Sequence, residues 1–286
     1  MTRTARLAAM TFAVALGFGQ GAQAEGGAPT GTASIPSHQT LAEMVHIGPL
    51  MQVVATEGAR HGRSLEGQLF PGKGGADWDR TVARIQSPAR LEHLVRESLN
   101  TMLREDDRTA ARAFFESKLG QRIAAREVDA RRAMLDQDVE GGARLASTAL
   151  HDQLTPRAVL IEDLIEGLDL LSANVSGGLN ANLAFYRGLL DGGAMSDDMD
   201  EAGLLSLVLS QEDDIRAATQ TWLRAYMMLA YAPLSDDELG AYLAFGQTDA
   251  GRRFNAAMFE GFGRVFEATS YDLGREAARI MVRTDI

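Results

Sequence analysis

The chain has 286 residues and a formal net charge of −11; 45% of its residues are hydrophobic, 23% are charged, and none is cysteine. This length is ample for a sizeable hydrophobic core, and the composition is that of a globular rather than a disordered protein. The acidic balance argues against nucleic acid as a partner, because phosphates require a basic surface, and it disfavours binding to anionic lipid headgroups. The absence of cysteine excludes disulfides and a lipidated N-terminal cysteine.

Residues 1–24 have the pattern of a secretory signal peptide. Arg3 and Arg6 supply a positive start, residues 7–19 form an apolar stretch, and residues 22–24, Ala-Gln-Ala, form a processing site. A retained membrane anchor is the alternative, but the apolar stretch is too short to span a bilayer comfortably. We therefore expect cleavage after Ala24, no stable membrane anchor afterwards, and export to the periplasm or the exterior.

Residues 25–37 are rich in Gly, Thr, Ser and Pro and are predicted to be a disordered leader. Residues 38–286 are predicted to form a single all-helical domain. Apolar residues recur there with helical spacing, and Ser87-Pro88 and Thr155-Pro156 are typical helix starts. No segment shows the strict alternation of a half-buried strand. We predict an all-α fold, a bundle or array of about ten helices.

Three local signals concern helix ends. The dipeptide Gly48-Pro49 is expected to kink or split the first helix, because proline removes a backbone donor. Ser196 and Ser210 are each expected to cap a helix that begins with acidic residues.

One sequence pattern occurs twice, at 103–123 and at 234–254, so that residue 103 aligns with residue 234 and the following positions align in the same register. Seven aligned positions are identical, and the shared core is F-x-x-[ST]-x-x-G-x-R-[IF]. The pattern predicts two related halves. Its defining residues are Phe114, Ser117, Gly120 and Arg122 in the first copy and Phe245, Thr248, Gly251 and Arg253 in the second.

We interpret each copy as a corner between two helices. The phenylalanine closes the apolar face of one helix, and the Ser or Thr three residues later caps the next. A helical glycine costs about 1 kcal/mol relative to alanine, so we expect a closely approaching backbone to offset it; space for a ligand is the functional alternative. Asp249 can pair with Arg253, whereas Lys118 and Arg122 repel at the same spacing. The motif arginine is therefore left without a consistent partner.

The segment Phe114 to Arg131, FFESKLGQRIAAREVDAR, resembles the signature of exported bacterial proteins grouped as domain-of-unknown-function family 2059. Ala244 to Phe254, AFGQTDAGRRF, resembles the same element. The resemblance directly covers one short segment in each half, and Lys118 and Asp249 stand where the family often has proline. It implies an all-helical exported fold without an established activity and supplies no catalytic residues.

No motif of a known catalytic or metal site is complete. Glu43-x-x-His46 has the spacing of a di-iron helix but lacks a second copy. The acidic stretch Asp191 to Asp200 lacks the closing glutamate of a calcium-binding loop. The chain also has no H-E-x-x-H, no G-x-S-x-G and no P-loop. We therefore predict no catalytic residue, no cofactor and no metal ion.

Four residues are candidates for a pocket. Glu127 and Arg131 lie four residues apart on the helix after the first motif, and a solvated or interhelical salt bridge competes there with a buried pair. Trp222 and Tyr226 belong to an aromatic and methionine-rich band, which forms either core or the wall of a cavity or partner groove.

These observations leave three functional hypotheses. The first is a non-enzymatic exported protein that binds a partner in the bacterial envelope. The alternative is a carrier of a small apolar ligand held between the two helical halves, and an unrecognised enzyme comes third. A pocket of several hundred cubic ångströms would favour the carrier.

Overall fold

The computed structural model describes residues 39–196 and 198–284, and within these ranges it contains thirteen α-helices and no strand. The all-α prediction is confirmed. The predicted signal peptide and leader lie outside the described residues. The helices are α1 (Leu41–Met44), α2 (Ile47–Leu69), α3 (Gly75–Ile85), α4 (Pro88–Met102), α5 (Glu105–Glu116), α6 (Lys118–Ala133), α7 (Gln137–Asp152), α8 (Pro156–Gly167), α9 (Leu170–Asp191), α10 (Glu201–Leu209), α11 (Glu212–Tyr231), α12 (Asp236–Gly246) and α13 (Asp249–Thr284).

Several helices are separated by breaks that differ from the expected ones. His46 and Asp169 adopt left-handed backbone angles, with φ of 54° and 51°, and divide α1 from α2 and α8 from α9. His and Asp tolerate this conformation better than most side chains. The expected split of the first helix is present, but it lies at Val45-His46, just before Gly48-Pro49. Pro49 itself does not interrupt α2, because it lies in the first turn, where its missing N–H group would be unbonded in any case.

The expected caps at Ser196 and Ser210 are wrong. Asp200 caps α10 through its side chain, which accepts a hydrogen bond from the Gly203 N–H at 2.8 Å. Ser210 follows the end of α10, and its hydroxyl donates to the Leu207 carbonyl at 2.7 Å. The Ser196 hydroxyl accepts a hydrogen bond from the Asp198 N–H at 3.3 Å. Both serines therefore bond to local backbone groups instead of starting a helix.

The longest helix, α13 with 36 residues, packs closely against α9. A Cβ atom on Gly188 of α9 would lie 2.2 Å from the Tyr271 carbonyl oxygen, and one on Gly274 of α13 would lie 2.2 Å from the Phe185 carbonyl oxygen. Side chains are therefore excluded at both positions, and the two helices meet through their backbones.

Two hydrophobic clusters surround this helix pair. The larger cluster joins α1, α2, α4–α6, α8, α9, α11, α12 and the first half of α13. The smaller cluster joins the end of α2 with α3, α10, the end of α9 and the last part of α13, around the buried Trp78. No helix among the described residues is long and apolar enough to cross a membrane.

The two motif copies form the corners α5–α6 and α12–α13. The Gly120 N–H donates to the Ser117 hydroxyl at 3.0 Å, and the Gly251 N–H donates to the Thr248 hydroxyl at 3.0 Å. A Cβ atom on either glycine would lie 2.2 Å from the carbonyl oxygen of the phenylalanine six residues earlier. Each glycine therefore allows the second helix of its corner to touch the backbone of the first.

The two corners also contact one another. The rings of Phe114 and Phe245 stack with their centroids 4.2 Å apart and their planes parallel. Arg122 of the first copy pairs with Glu238 of the second.

The second motif arginine forms the reciprocal ion pair. Arg253 of the second copy pairs with Asp107 of the first at 3.0 Å, and Asp107 is the position that aligns with Glu238. Asp249 pairs with Arg252 instead of Arg253. The expectation that the motif arginine lacks a consistent partner is therefore wrong.

The corner glycines allow a direct test. We expect Gly120→Ala and Gly251→Ala each to lower the free energy of unfolding by at least about 1–3 kcal/mol, because the added methyl group overlaps a backbone carbonyl. Gly240→Ala is the matched control, since it lies inside α12 with open space around its Cβ position and should gain about 1 kcal/mol from helix propensity. Urea unfolding measures both effects, and equal stabilities of the corner and control variants would contradict the close approach.

Candidate functional site

The four pocket candidates from the sequence lie together where α6 packs against α11. Glu127 is 5% exposed, and its Oε1 atom accepts hydrogen bonds from the hydroxyls of Tyr231 at 2.7 Å and Tyr242 at 2.5 Å. The Tyr226 hydroxyl donates to the backbone carbonyl of Glu127 at 3.0 Å. One carboxyl group thus joins α6 to α11 and α12. We call Glu127 with its three tyrosines the tyrosine–glutamate cluster.

Burial governs the protonation of this cluster. It raises the pKa of Glu127 to about 7, although the hydrogen bonds from Tyr242 and Tyr231 oppose the rise. Burial and the neighbouring Glu127 carboxyl raise the pKa values of Tyr226 and Tyr231 well above their usual range, so both tyrosines stay hydrogen-bond donors. The cluster therefore exchanges one proton, on Glu127, near neutral pH.

Of the alternatives from the sequence, Arg131 makes an interhelical salt bridge, with Glu57 of α2 as its partner. Its guanidinium group makes two hydrogen bonds to the Glu57 carboxylate of α2, at 3.1 and 2.8 Å, and lies 5.8 Å from the ring centroid of Trp222. Trp222 in turn stacks on Tyr226 with centroids 4.8 Å apart. Burial alone would lower the pKa of Arg131, but Glu57 holds it above its usual value, so the guanidinium stays charged.

A cleft of about 300 Å³ opens beside this arginine. Glu57 and Trp222 line it together with Arg60, Glu140 and Arg144. Arg60 donates a hydrogen bond to the Leu135 carbonyl, and Arg144 forms an ion pair with Glu140. The charged side chains that line the cleft are therefore bonded to other groups of the protein. The cleft is polar and shallow, and its charged groups are mutually compensated.

The positions that correspond to these residues in the register of the two motif copies carry apolar side chains instead. In the register of the two motif copies, Glu127 and Arg131 correspond to Met258 and Phe262, and Trp222 and Tyr226 correspond to Leu91 and Val95. All four of these counterparts are at most 1% exposed. The same kind of helix contact is therefore made with apolar side chains where α13 packs against α4.

A larger groove lies between the α8–α9 connection and the middle of α13. It has a volume of about 640 Å³ and is lined by apolar and small residues, by the polar Ser176, Asn180 and Asn255, and by charged residues. The apolar and small residues are Met102, Gly167, Leu168, Ala173, Gly177, Gly246, Ala256, Phe259 and Gly263. The charged ones are Glu166, Asp169, Arg252, Glu260, Arg264 and Glu267.

Asn255 is the unusual residue of this groove. It is 7% exposed, and its Nδ2 group donates to the Leu168 carbonyl at 3.3 Å. Its Oδ1 atom is buried and has no hydrogen-bond partner among the described residues. A buried acceptor without a donor costs about 1–3 kcal/mol.

Sequence reasoning missed this groove. The available signal was a single amide inside an otherwise apolar run of α13, between Phe254 and Met258, at the position that corresponds to Ala124 in the first half. An amide in a helix is commonly a surface residue, so this pattern alone does not distinguish a groove from solvent.

The structure brings no metal ligands together within the residues it describes, where no three His, Asp or Glu side chains are grouped to hold an ion. Glu43, from the di-iron spacing, instead accepts a hydrogen bond from the Thr40 N–H as part of a capping box. Asp191 accepts one from the Tyr271 hydroxyl at 2.7 Å.

The raised pKa of Glu127 predicts how stability changes with pH. Between about pH 4.5 and 7, Glu127 binds a proton in the folded state but not in the unfolded state. The stabilisation of the folded state by this proton is therefore fully present below pH 4.5 and is lost as the pH rises through 7. We expect the stability of Glu127→Gln relative to the wild type to rise by about 3 kcal/mol over this range, because glutamine keeps the shape without ionising.

Urea unfolding of both proteins at several pH values measures this difference. Burial lowers the pKa of His61 to about 4, which removes stability from both proteins as the pH falls below 6.5, and that change cancels in the comparison. Parallel stability curves for the two proteins would contradict the assignment.

Compared with known proteins, the chain matches no family model, no curated protein and no solved structure. The resemblance of the motif to domain-of-unknown-function family 2059 therefore stays a prediction, and the geometry of the groove and of the tyrosine–glutamate cluster is the basis for a functional proposal.

Proposed function

We propose that this protein is a non-enzymatic binding protein that is exported and holds a small molecule with an apolar body in the groove along α13. The single observation that carries the proposal is the groove itself, in which Met102, Leu168 and Phe259 provide apolar surface beside α13. The volume of about 640 Å³ lies within the range of about 300–1,000 Å³ that is usual for ligand sites. This is the carrier hypothesis, with the ligand placed between α8–α9 and α13.

Export is part of the same proposal. It is supported by the signal-peptide pattern of residues 1–24, with its Ala-Gln-Ala processing site, and by the resemblance to an exported family. The similarity of residues 103–123 and 234–254, with their matching caps and glycines, further supports the inference that the chain is built from two related halves.

A second candidate is the binding of a protein partner in the envelope. The observation that favours it is the exposure of two large apolar side chains, 76% for Leu145 on α7 and 71% for Leu154 directly after that helix. Exposed leucines of this kind mark an interaction site only where they belong to a larger apolar patch. The groove carries the stronger argument because its volume and its apolar lining residues are those of a small-molecule site.

Native mass spectrometry of protein purified from its own envelope tests export and binding together. We expect a chain that begins at Glu25 and a bound small molecule that dissociates on collisional activation. A chain that retains residues 1–24 would contradict export as a soluble protein. A preparation that carries only a second protein would replace the carrier proposal with the partner hypothesis.

Two glycines allow the groove to be filled without disturbing the core. Gly177 of α9 and Gly263 of α13 both line it, and neither has an atom within 4 Å of the Cβ position. We expect Gly177→Leu and Gly263→Leu to abolish the bound species, because the added side chain occupies the groove, while stability is kept or raised by up to about 1 kcal/mol.

Gly142→Leu is the matched control, since Gly142 lies inside α7 away from the groove and also has open space around its Cβ position. Native mass spectra of the three variants, with their urea midpoints, measure the effect. Full occupancy in Gly263→Leu would place the ligand elsewhere.

A further inference from the structure

We propose that the outward face of α7 is a docking surface for a cationic amphipathic helix of a partner protein. No residue of α7 lines the groove along α13, so the two surfaces are separate and this proposal does not depend on a ligand in the groove. The argument uses the orientation of α7, the spacing of its exposed side chains, and two residues at its C-terminal end.

Helix α7 places its largest apolar side chain in solvent and several polar side chains toward the protein. Leu145 is 76% exposed, the highest value among the large apolar side chains that the structure describes. On the inner side, Ser147 is the one buried residue of the helix, and Glu140 and Arg144 are half-buried. A surface helix normally turns its apolar stripe to the core. The packing of α7 against the rest of the chain therefore does not account for Leu145.

The exposed residues of α7 follow a heptad spacing. Asp138, Leu145 and Asp152 are seven residues apart, so they share one side of the helix, and all three are exposed. Gly142 and Ala149 are exposed beside Leu145 on the same side, and their small size allows another helix to approach closely. A helix that packs along this line meets a leucine between two carboxylates whose positions are about 21 Å apart along the axis.

The charges on this line determine which partner fits. Neither Asp138 nor Asp152 forms an ion pair among residues 39–196 and 198–284, and Arg144, the one arginine of α7, is paired with Glu140. A second copy of the chain that packed α7 on α7 around Leu145 would place aspartate opposite aspartate, in a parallel or an antiparallel pair. Such like charges repel, whereas Lys or Arg at both positions of a partner would form two ion pairs. The face therefore fits a cationic helix and not a second copy.

Two residues at the end of α7 lower the stability of the fold. Leu154 has a left-handed backbone, with φ of 49°, and its side chain is 71% exposed. Glycine usually occupies this position after a helix, because a bulky side chain is unfavourable there. Asp152 is the last residue of α7, where a negative charge opposes the helix dipole. Local conflicts of this kind are concentrated at functional sites, and these two lie on the outward line and directly after it.

Three model peptides test the charge of the partner. Each is a helix of about 18 residues, long enough to span α7, with one apolar face of Leu and Ala and with Lys, Gln or Glu at the remaining positions. We expect fluorescence anisotropy at neutral pH to show the Lys peptide binding roughly ten-fold more tightly than the Gln peptide, with the Glu peptide weakest, because two partly exposed ion pairs contribute on this scale. Salt at about 1 M should remove most of the difference.

Leucine variants locate the surface. Leu145→Gln removes the apolar contact without changing the charge, and we expect it to weaken binding of the Lys peptide roughly ten-fold. Leu205→Gln is the matched control, since Leu205 is a 45% exposed leucine on α10, and it should leave binding unchanged. Leu154→Gly relieves the left-handed strain, so it should keep or raise the urea midpoint and still weaken binding. A residue with only a structural role would not weaken binding while stability is kept.

Two double variants separate this face from the general negative charge of the chain. Asp138→Asn with Asp152→Asn removes the two carboxylates of the outward line, and Asp79→Asn with Asp106→Asn removes two exposed carboxylates on α3 and α5. We expect the first pair to reduce the preference for the Lys peptide over the Gln peptide to less than about two-fold. The second pair should preserve the preference, since screening limits distant charges.

Several outcomes would overturn the proposal. Equal binding of the Lys and Glu peptides, or no binding of any peptide, would exclude a cationic helix as the partner. Equal weakening by Leu145→Gln and Leu205→Gln would place the peptide elsewhere, and a dimer of the chain that Leu145→Gln dissociates would assign the face to a second copy. Gly263→Leu fills the groove along α13 and should leave peptide binding unchanged, so this proposal and the proposed function can fail separately.

Discussion

Close backbone contact at two glycines is the constraint on which the larger core depends. Gly120 and Gly251 each let one helix touch the backbone of the preceding helix, where any Cβ atom would overlap a carbonyl oxygen. That contact sets the angle of each corner and brings Phe114 and Phe245 into a face-to-face stack. The motif arginine of each copy then pairs with the acidic residue near the start of the other copy. The two corners therefore fix one another, and the loss of either glycine would affect both.

Because the two corners are so similar, a helix of one corner could pack in the place of the corresponding helix of the other. The tyrosine–glutamate cluster makes the two pairings unequal. If α6 were to take the place of the start of α13, Glu127 and Arg131 would face Leu91 and Val95, which offer no polar partner. Leaving a buried charge unpaired costs about 3–5 kcal/mol. The buried polar groups thus favour one arrangement of the two corners, at the cost of desolvating Glu127, which raises its pKa.

The sequence predicts those features of the structure that depend on residues close together along the chain. It does not predict contacts between residues that are far apart along the chain. Helix type follows from apolar periodicity, and the caps at Ser117 and Thr248 follow from residues three positions apart. The ion-pair partners of Arg131 and Arg253 do not follow from the sequence, because Glu57 and Asp107 lie 74 and 146 residues away along the chain. Single-sequence patterns carry no information on such pairings. Spacing along the sequence places the four pocket candidates as one pair on each of two helices. Only the packing of α6 against α11 brings the two pairs together.

The groove along α13, like the tyrosine–glutamate cluster, lies where corresponding positions of the two motif registers carry different residues. Ala124 and Asn255 occupy corresponding positions and both are buried, so the corner itself tolerates a methyl group there. An amide whose oxygen stays unbonded costs about 1–3 kcal/mol, which is a considerable fraction of the stability of a typical domain. The hydrogen bond from its Nδ2 group to the Leu168 carbonyl satisfies the donor of the amide but leaves the acceptor unbonded. The amide of Asn255 therefore ties α13 to the α8–α9 connection through its Nδ2 group, at the cost of an unbonded oxygen.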